Sequence, residues 1–355
     1  MKKLAANNLG YLYAIFAAIL FGASTPAAKF LTGKVEPWLL AGLLYLGSAV
    51  GLMVIRAGQI FSKKHSSTEA SLRGKDWGWL SGSVFLGGII GPVLLLIGLS
   101  EVSAATGSLL LNTESLFTAL IAWLIFKEQT DKKIILGMIL IVIGCCVLGW
   151  KNNFALTNLV GPIAIILACL CWAIDNNLTQ KISAANPVQI AMIKCLIAGI
   201  TNTILALCDG AKLPGISLLI SAGVIGVFGY GVSLMLFILG LRHIGTARTG
   251  AYFSLAPFVG VAVAILFLGE PVSMQLIFAA IFMGMGIWLH LTEYHIHEHE
   301  HEELEHEHLH FHDSHHQHEH SPNDPPGEPH CHWHRHKPIR HSHPHYPDIH
   351  HRHQH

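Results

Sequence analysis

The sequence predicts an all-α integral membrane protein, with ten transmembrane helices laid out as two inverted five-helix repeats and followed by a polar tail. Three observations carry this prediction. Of 355 residues, 52% are hydrophobic and only 12% charged, where a soluble domain usually has ~25% charged. Ten apolar stretches approach the ~20 residues that a membrane-crossing helix needs. Short motifs also recur at fixed distances between the two halves of the chain.

The stretches lie near residues 10–31, 37–57, 77–99, 103–126, 132–150, 158–180, 187–208, 214–240, 246–268 and 272–291. Several are separated by only a few residues, which implies tight helical hairpins. Lys2 and Lys3 ahead of the first apolar run look like the start of a signal peptide. No small-residue cleavage site is evident and nine more stretches follow, so the run is read as the first span.

Basic residues in the loops set the orientation. Lys2, Lys3, Arg56, Lys63, Lys64, Arg73, Lys75, Lys127, Lys132, Lys133, Lys181, Arg242 and Arg248 fall on one side. Only Lys29, Lys34, Lys151 and Lys212 fall on the other. The positive-inside rule then places the N-terminus in the cytoplasm, in a multi-pass protein of the cytoplasmic membrane. An even number of spans brings the C-terminus to the same side.

Glu36-Pro37 and Asn186-Pro187 open the second and seventh stretches and set one offset between the halves. Gly98-Leu99 and Gly240-Leu241 close the third and eighth at a second, slightly shorter offset. At that second offset Glu128 matches Glu270 and Gly144 matches Gly286. Five spans per half require the second half to enter the membrane inverted. This divides the chain into a first repeat (1–150), a second repeat (151–291) and a tail (292–355). Inverted repeats build many secondary transporters, whose substrates sit near the bilayer midplane between the halves.

At these residues the chain resembles the EamA-type transporters of the drug/metabolite transporter superfamily. FGASTPAAK (Phe21 to Lys29) is similar to the family's first-helix signature. ANPVQIAMIK (Ala185 to Lys194) resembles the start of the helix that follows in the second repeat. The segments ending in FKE (Phe126 to Glu128) and LGE (Leu268 to Glu270) resemble its apolar helix closed by glutamate. The resemblance covers residues 10 to 291 and excludes the tail. It implies a ten-helix exporter with a central cavity lined by helices one to four and six to nine. Many relatives have proline where Ser115 stands, as Pro257 stands in the second repeat. Its absence implies that the fourth helix continues unbroken there.

Ionisable side chains inside a membrane are costly and usually face a cavity or a partner. Glu114, in the run Asn112-Thr113-Glu114-Ser115, sits mid-span, where it could bind a cation or exchange a proton. The alternative is a carboxylate paired with a lysine or a backbone donor, serving packing. Asp175, followed by Asn176 and Asn177, and Lys194 lie on neighbouring helices. At ~1.5 Å per residue they reach similar depths, so a structural ion pair and a substrate role stand level. Lys194 matches a basic position common in the family, while its first-repeat equivalent is Leu44.

Lys29 is placed to snorkel to the interface. The family likeness puts Glu36 near the outer mouth. Pro26 and Pro92 could open their helices locally. Gly74, Gly78, Gly82, Gly87 and Gly91 read as close-packing positions. No nucleotide-binding loop, zinc-protease motif or nucleophile elbow is present, so the chain is not expected to be an enzyme and needs no cofactor.

The tail is the other marked feature. Of 26 histidines, only His65, His243 and His290 lie outside it. From Thr292 on there are 12 Asp+Glu against 4 Lys+Arg, whereas the preceding residues carry 10 against 18. An acidic, imidazole-rich strip favours cations and argues against nucleic acid. Imidazole is the commonest metal ligand, so the tail is expected to bind transition-metal ions. Its candidate ligands are His295, His297, His299, His301, His306, His308, His310, His312, His330, Cys331, His332, His334 and His336. Pro322, Pro325, Pro326 and Pro329 and the lack of apolar residues predict a solvated, disordered segment. The other six cysteines, Cys145, Cys146, Cys169, Cys171, Cys195 and Cys208, read as small apolar helix residues.

The leading expectation is a secondary transporter exporting nickel, cobalt or zinc, with the tail gathering metal at the cytoplasmic mouth. Against it, the membrane part offers no histidine cluster. The first alternative is an EamA-type exporter of amino acids, metabolites or drugs with a metal-buffering or regulatory tail. A membrane-tethered metal reservoir or sensor is the third. Expected partners are the lipid bilayer and the transported ion or small solute; a second copy in a homodimer is left open.

Overall fold

The computed structural model describes residues 2–61, 72, 74, 76–124, 132–149, 159–183 and 185–291, together with 296–300, 304–310, 330–336 and 340–344. The first half holds α1 (Lys2–Thr32), α2 (Pro37–Phe61), α3 (Asp76–Ser83), the π-helix π1 (Val84–Ile90) and α4 (Gly91–Glu101). It continues with α5 (Ala104–Leu110), α6 (Thr113–Leu124) and α7 (Lys132–Gly149). The second half holds α8 (Val160–Ile182), α9 (Pro187–Cys208), α10 (Ile216–Ile225), the π-helix π2 (Gly226–Val232) and α11 (Ser233–Phe253). It ends with α12 (Ala256–Leu268) and α13 (Met274–Leu291).

Seven helices among the described residues are long and apolar enough to cross a membrane. They are Leu9–Thr32, Pro37–Gln59, Asp76–Glu101, Val160–Ile182, Pro187–Cys208, Ile216–Ile244 and Thr249–Leu268. Ile135–Leu148 and Met274–Leu289 are shorter apolar helices. The expected fourth span is split into α5 and α6. Large apolar side chains such as Val54, Ile216, Leu266, Phe267 and Trp288 lie on the outside, where lipid is their natural solvent.

The repeat is visible in the element boundaries. π1 and π2 are separated by one offset at both their starts and their ends, and α7 and α13 are separated by the same offset. It is the offset that relates Gly98 to Gly240. The starts of α2 and α9 keep the slightly longer offset of their Pro motifs. Equivalent helices also pack against each other antiparallel. Gly42 lies against Thr203 and Leu46 against Gly199 across α2 and α9. Gly144 lies against Met283 and Gly286 against Gly137 across α7 and α13. At Gly286 a side chain would meet the Gly137 carbonyl at 2.7 Å, so the matched glycines are the points of closest approach.

The matched Pro motifs are helix starts. Glu36 accepts from the Trp38 and Leu39 amides at 2.9 and 2.7 Å, and Asn186 from the Gln189 amide at 3.1 Å. Each caps amides left free in a first turn that opens with proline. Lys29 does not simply snorkel: its ammonium donates to the Leu99 carbonyl and, at 3.2 Å, to that of Ser100, at the end of α4. α1 runs on through Pro26, while Pro92 falls in the first turn of α4, directly after π1.

Two expectations about continuity are reversed. The fourth stretch is broken at Leu111–Asn112 although no proline follows. Local bonds replace the helical ladder there. Thr113 Oγ1 donates to the Leu110 carbonyl and Ser115 Oγ to that of Asn112, and Cys169 Sγ reaches the Leu110 and Leu111 carbonyls at 3.8 Å. The second repeat breaks one residue later in the repeat, at Ser254–Leu255, ahead of Pro257. The stretches expected at 214–240 and 246–268, in contrast, have no break between them: α11 continues to Phe253. A single Gly245 costs a helix only ~1 kcal/mol relative to alanine.

In the tail, β1 (Ile296–Glu300) pairs antiparallel with β4 (Arg340–Pro344), and β2 (Leu304–His310) with β3 (His330–His336). No regular structure was expected there. The alternation of the tail sequence has the two-residue period of a strand, and these four segments adopt it.

Candidate functional site

The site forms where the repeats meet. A cavity is lined by Phe21 of α1, Tyr45 of α2, Gly87 of π1 and Glu114 of α6. Trp172, Asp175 and Asn176 of α8 and Lys194 of α9 add to it, with Gly229 and Tyr230 of π2 and Ser233, Leu234, Phe237 and Phe253 of α11. It offers about 70 Å³ to the centres of water-sized groups, where one water needs ~10–15 Å³. There is room for several waters or a small organic group.

Asp175 and Lys194 form an ion pair, with Lys194 Nζ 2.8 and 2.9 Å from the two carboxylate oxygens. Lys194 is 2% exposed and Asp175 5%. The third ammonium donor goes to Thr179 Oγ1 at 3.0 Å. Ser83 Oγ and Thr179 Oγ1 both donate to Asp175 Oδ1, at 2.5 and 3.0 Å. Such saturation is what makes a buried pair tolerable, because each charge left unsatisfied costs several kcal/mol. Gly87 of π1 lies directly against the Asp175 carboxylate, where any Cβ would collide. This glycine from the sequence series is therefore required by the ion pair.

Both π-helices touch the cavity, and their loosened carbonyls are bonded from neighbouring helices. The Gly87 carbonyl accepts from Tyr45 Oη at 3.1 Å and Trp172 Nε1 at 3.0 Å. The Gly88 carbonyl accepts from Asn202 Nδ2 at 3.0 Å, and the Gly226 carbonyl from Ser48 Oγ at 2.8 Å. π-helical turns are often found at functional sites.

Glu114 stands in the first turn of α6, immediately after the break. The positive end of a helix dipole offsets part of the cost of burying a carboxylate. Asn176 Nδ2 donates to Glu114 Oε1 at 2.6 Å. No other bond to its carboxylate is formed among the described residues.

The structure thus brings together Glu114, Asp175, Asn176 and Lys194 from the sequence candidates. Asn112 does not join them: it is buried at the break, with Nδ2 3.6 Å from Met283 Sδ. The aromatic wall was not anticipated. Phe21 packs against Trp172, Tyr230 and Phe253 at ring distances of 5.7, 5.8 and 5.4 Å. Tyr45 packs on Tyr230 at 5.5 Å and Phe237 on Phe253 at 4.8 Å. The Tyr230 hydroxyl is buried and has no hydrogen-bond partner among the described residues. Phe21 lies inside the FGASTPAAK motif, and Gly229-Tyr230 is the second-repeat equivalent of Gly87-Gly88. Those were the available signals.

Among the described residues no group of three or more His, Cys, Asp and Glu side chains could hold a metal ion. The tail candidates, His295 to His312 and His330 to His336 with Cys331, lie outside the residues whose side chains are described.

The EamA-like transporter family model matches residues 8–150 and 159–292, one match per half of the chain. An "Uncharacterized transporter" of Methanothermobacter thermautotrophicus is 29% identical over 293 residues, covering 79% of this chain and 85% of that protein. A "Probable amino-acid metabolite efflux pump" of Salmonella typhimurium is 25% identical over 205 residues, covering 53% of this chain and 67% of that protein. A solved crystal structure superposes with a TM-score of 0.59 at 19% identity, covering 80% of this chain and 95% of that one. That last likeness speaks to fold alone.

Proposed function

We propose, from the premise that this chain belongs to the EamA-like transporter family, that it exports a small organic solute through the central cavity. The chain is a multi-pass membrane transporter and not an enzyme. Our reading adds ten spans, both termini in the cytoplasm, and secondary active export driven by ion or proton exchange.

The observation that carries the substrate class is the cavity wall. It consists of aromatic rings around one carboxylate and one self-neutralised ion pair. Such a wall suits an organic body with a few polar points. A transition-metal ion would call for several nitrogen, sulfur or oxygen ligands converging on one point. The amino-acid efflux pump among the relatives is in keeping with this class.

A second reading, export of nickel, cobalt or zinc, is favoured by the histidine-rich tail. In our reading the tail binds such ions as a buffer or regulator beside the transporter. Its affinity falls as pH drops through the imidazole range, because a protonated imidazole cannot ligate.

One experiment separates the two. Cells make the full chain, a chain ending at Leu291, or Glu114→Ala. Organic solutes in the medium are measured by mass spectrometry, and cellular nickel, cobalt and zinc by elemental analysis. We expect an organic solute to rise outside with the first two chains and not with the third, at unchanged metal content. Metal content lowered by the full chain and restored by Glu114→Ala would overturn the organic reading.

A further inference from the structure

We propose that the cavity selects a protonated amine on an apolar body, with the ammonium group at Glu114 and the body among the aromatic rings. This rests on the organic-solute reading above and names its substrate class.

The charges around the cavity are unequal in what they leave free. Lys194 commits its three donors to the two oxygens of Asp175 and to Thr179. It has none left for an anion, and the Asp175 charge is neutralised in return. Glu114 is different. Oε1 accepts from Asn176, and Oε2 accepts from no group among the described residues. The cavity therefore presents one carboxylate whose charge awaits a cation.

The wall around it adds a second, independent preference. Trp172, Tyr230, Tyr45 and Phe21 line the same space. A ring face attracts a cation held within ~6 Å of its centre, and more strongly once water is excluded. Rings also take the apolar body of the same molecule.

The third observation is the Tyr230 hydroxyl, buried, without a partner among the described residues and part of the cavity lining. Buried polar groups almost always have a partner, so a bound ligand is the natural one to supply it. Its oxygen can accept from an ammonium N–H. An anion of the same shape would meet Glu114 and find no spare cation. A neutral alcohol could donate one O–H to the carboxylate but would leave its charge without a counter-ion.

The test is calorimetric titration of the purified full chain in detergent with three probes of matched shape: phenylethylammonium, 3-phenylpropionate and 2-phenylethanol. We expect the cation to bind tenfold or more tighter than the other two. Glu114→Gln should lose at least about tenfold of that affinity, the scale of one charge-assisted hydrogen bond. Tyr230→Phe should lose about threefold. Glu114→Asp keeps the charge and should keep the order of the three probes, which separates loss of charge from misfolding. Equal binding of the three probes, or no loss in Glu114→Gln, would overturn the amine assignment. So would failure of all three to bind. Export of an acidic or uncharged solute in the cell assay would then leave the organic reading standing, whereas metal export there would remove both.

Discussion

The break between α5 and α6 and its counterpart between α11 and α12, one residue later in the repeat, are both two-residue turns and differ in chemistry. α5 ends before Leu111–Asn112 and α6 opens with Thr113-Glu114, while α11 ends before Ser254–Leu255 and α12 opens with Ala256-Pro257. Glu114 faces the cavity. Ala256, its equivalent at the offset that relates Gly98 to Gly240, is 1% exposed and packs against Gly22 of α1. The π-helices repeat the pattern: Gly87 abuts Asp175, and Gly229 abuts Ser24. Symmetry supplies the frame, and each departure from it adds a polar group on the Glu114–Asp175 side. The cavity thus takes its charged groups from α6, α8 and α9, and π2 and α11 add none.

The largest way to disturb this contrast is to remove half of the buried pair. Lys194→Met strands the Asp175 carboxylate, and losing one partner of such a pair typically costs ~3–5 kcal/mol. The double change Lys194→Met with Asp175→Asn should recover most of that. Thermal unfolding in detergent checks both. A double variant as unstable as the single one would mean that the pair does more than balance charge.

Next comes the same substitution at the two equivalent positions. Ala256→Leu pushes a larger side chain into the contact with α1 and should cost ~1–3 kcal/mol, as overpacking does. Glu114→Leu should leave the melting temperature nearly unchanged and abolish solute binding. If both variants lose stability alike, Glu114 is a packing residue and the asymmetry is empty.

Smaller effects are expected at the caps. Glu270 accepts from the Ala104 and Ala105 amides at 2.7 and 2.9 Å, tying the end of α12 to the start of α5 across the two repeats. Glu270→Ala should cost ~1–2 kcal/mol, and Glu36→Ala, at a more exposed start of α2, nearer ~0.5 kcal/mol. Unfolding midpoints of the two variants would rank them.

Much of the frame was legible in the sequence because membrane burial writes itself as long apolar runs and inverted repeats as matched motifs. Pro37 and Pro187 mark helix starts, whereas Gly144 and Gly286, legible only as matched repeat positions, prove to sit at a close crossing. Glu114, Asp175 and Lys194 were legible because a charge in lipid needs a reason. The aromatic wall was not, since in an apolar helix Phe21 or Phe237 reads the same whether it faces lipid or cavity. The π-helices were hidden too. A shift from i→i−4 to i→i−5 bonding depends on what caps the loosened carbonyls. At Gly87 the capping groups, Tyr45 and Trp172, come from distant segments.

The break itself was misread, and that gives the finest test. With proline as the expected cause of a break, Ser115 implies a continuous helix. The structure breaks at Leu111–Asn112 all the same, held by Thr113, Ser115 and Cys169 bonding the loosened carbonyls. Ser115 is the third residue of α6, so its amide belongs to the first turn, where amides have no intrahelical acceptor. Ser115→Pro therefore removes no ladder bond and loses only the hydroxyl bond to the Asn112 carbonyl, which should cost no more than ~0.5–1.5 kcal/mol, whereas in an unbroken helix the same proline would cost ~3 kcal/mol or more. A melting curve lowered by no more than that one bond would place the break in the fold itself, while a drop of the helix-breaking size would restore the continuous fourth helix.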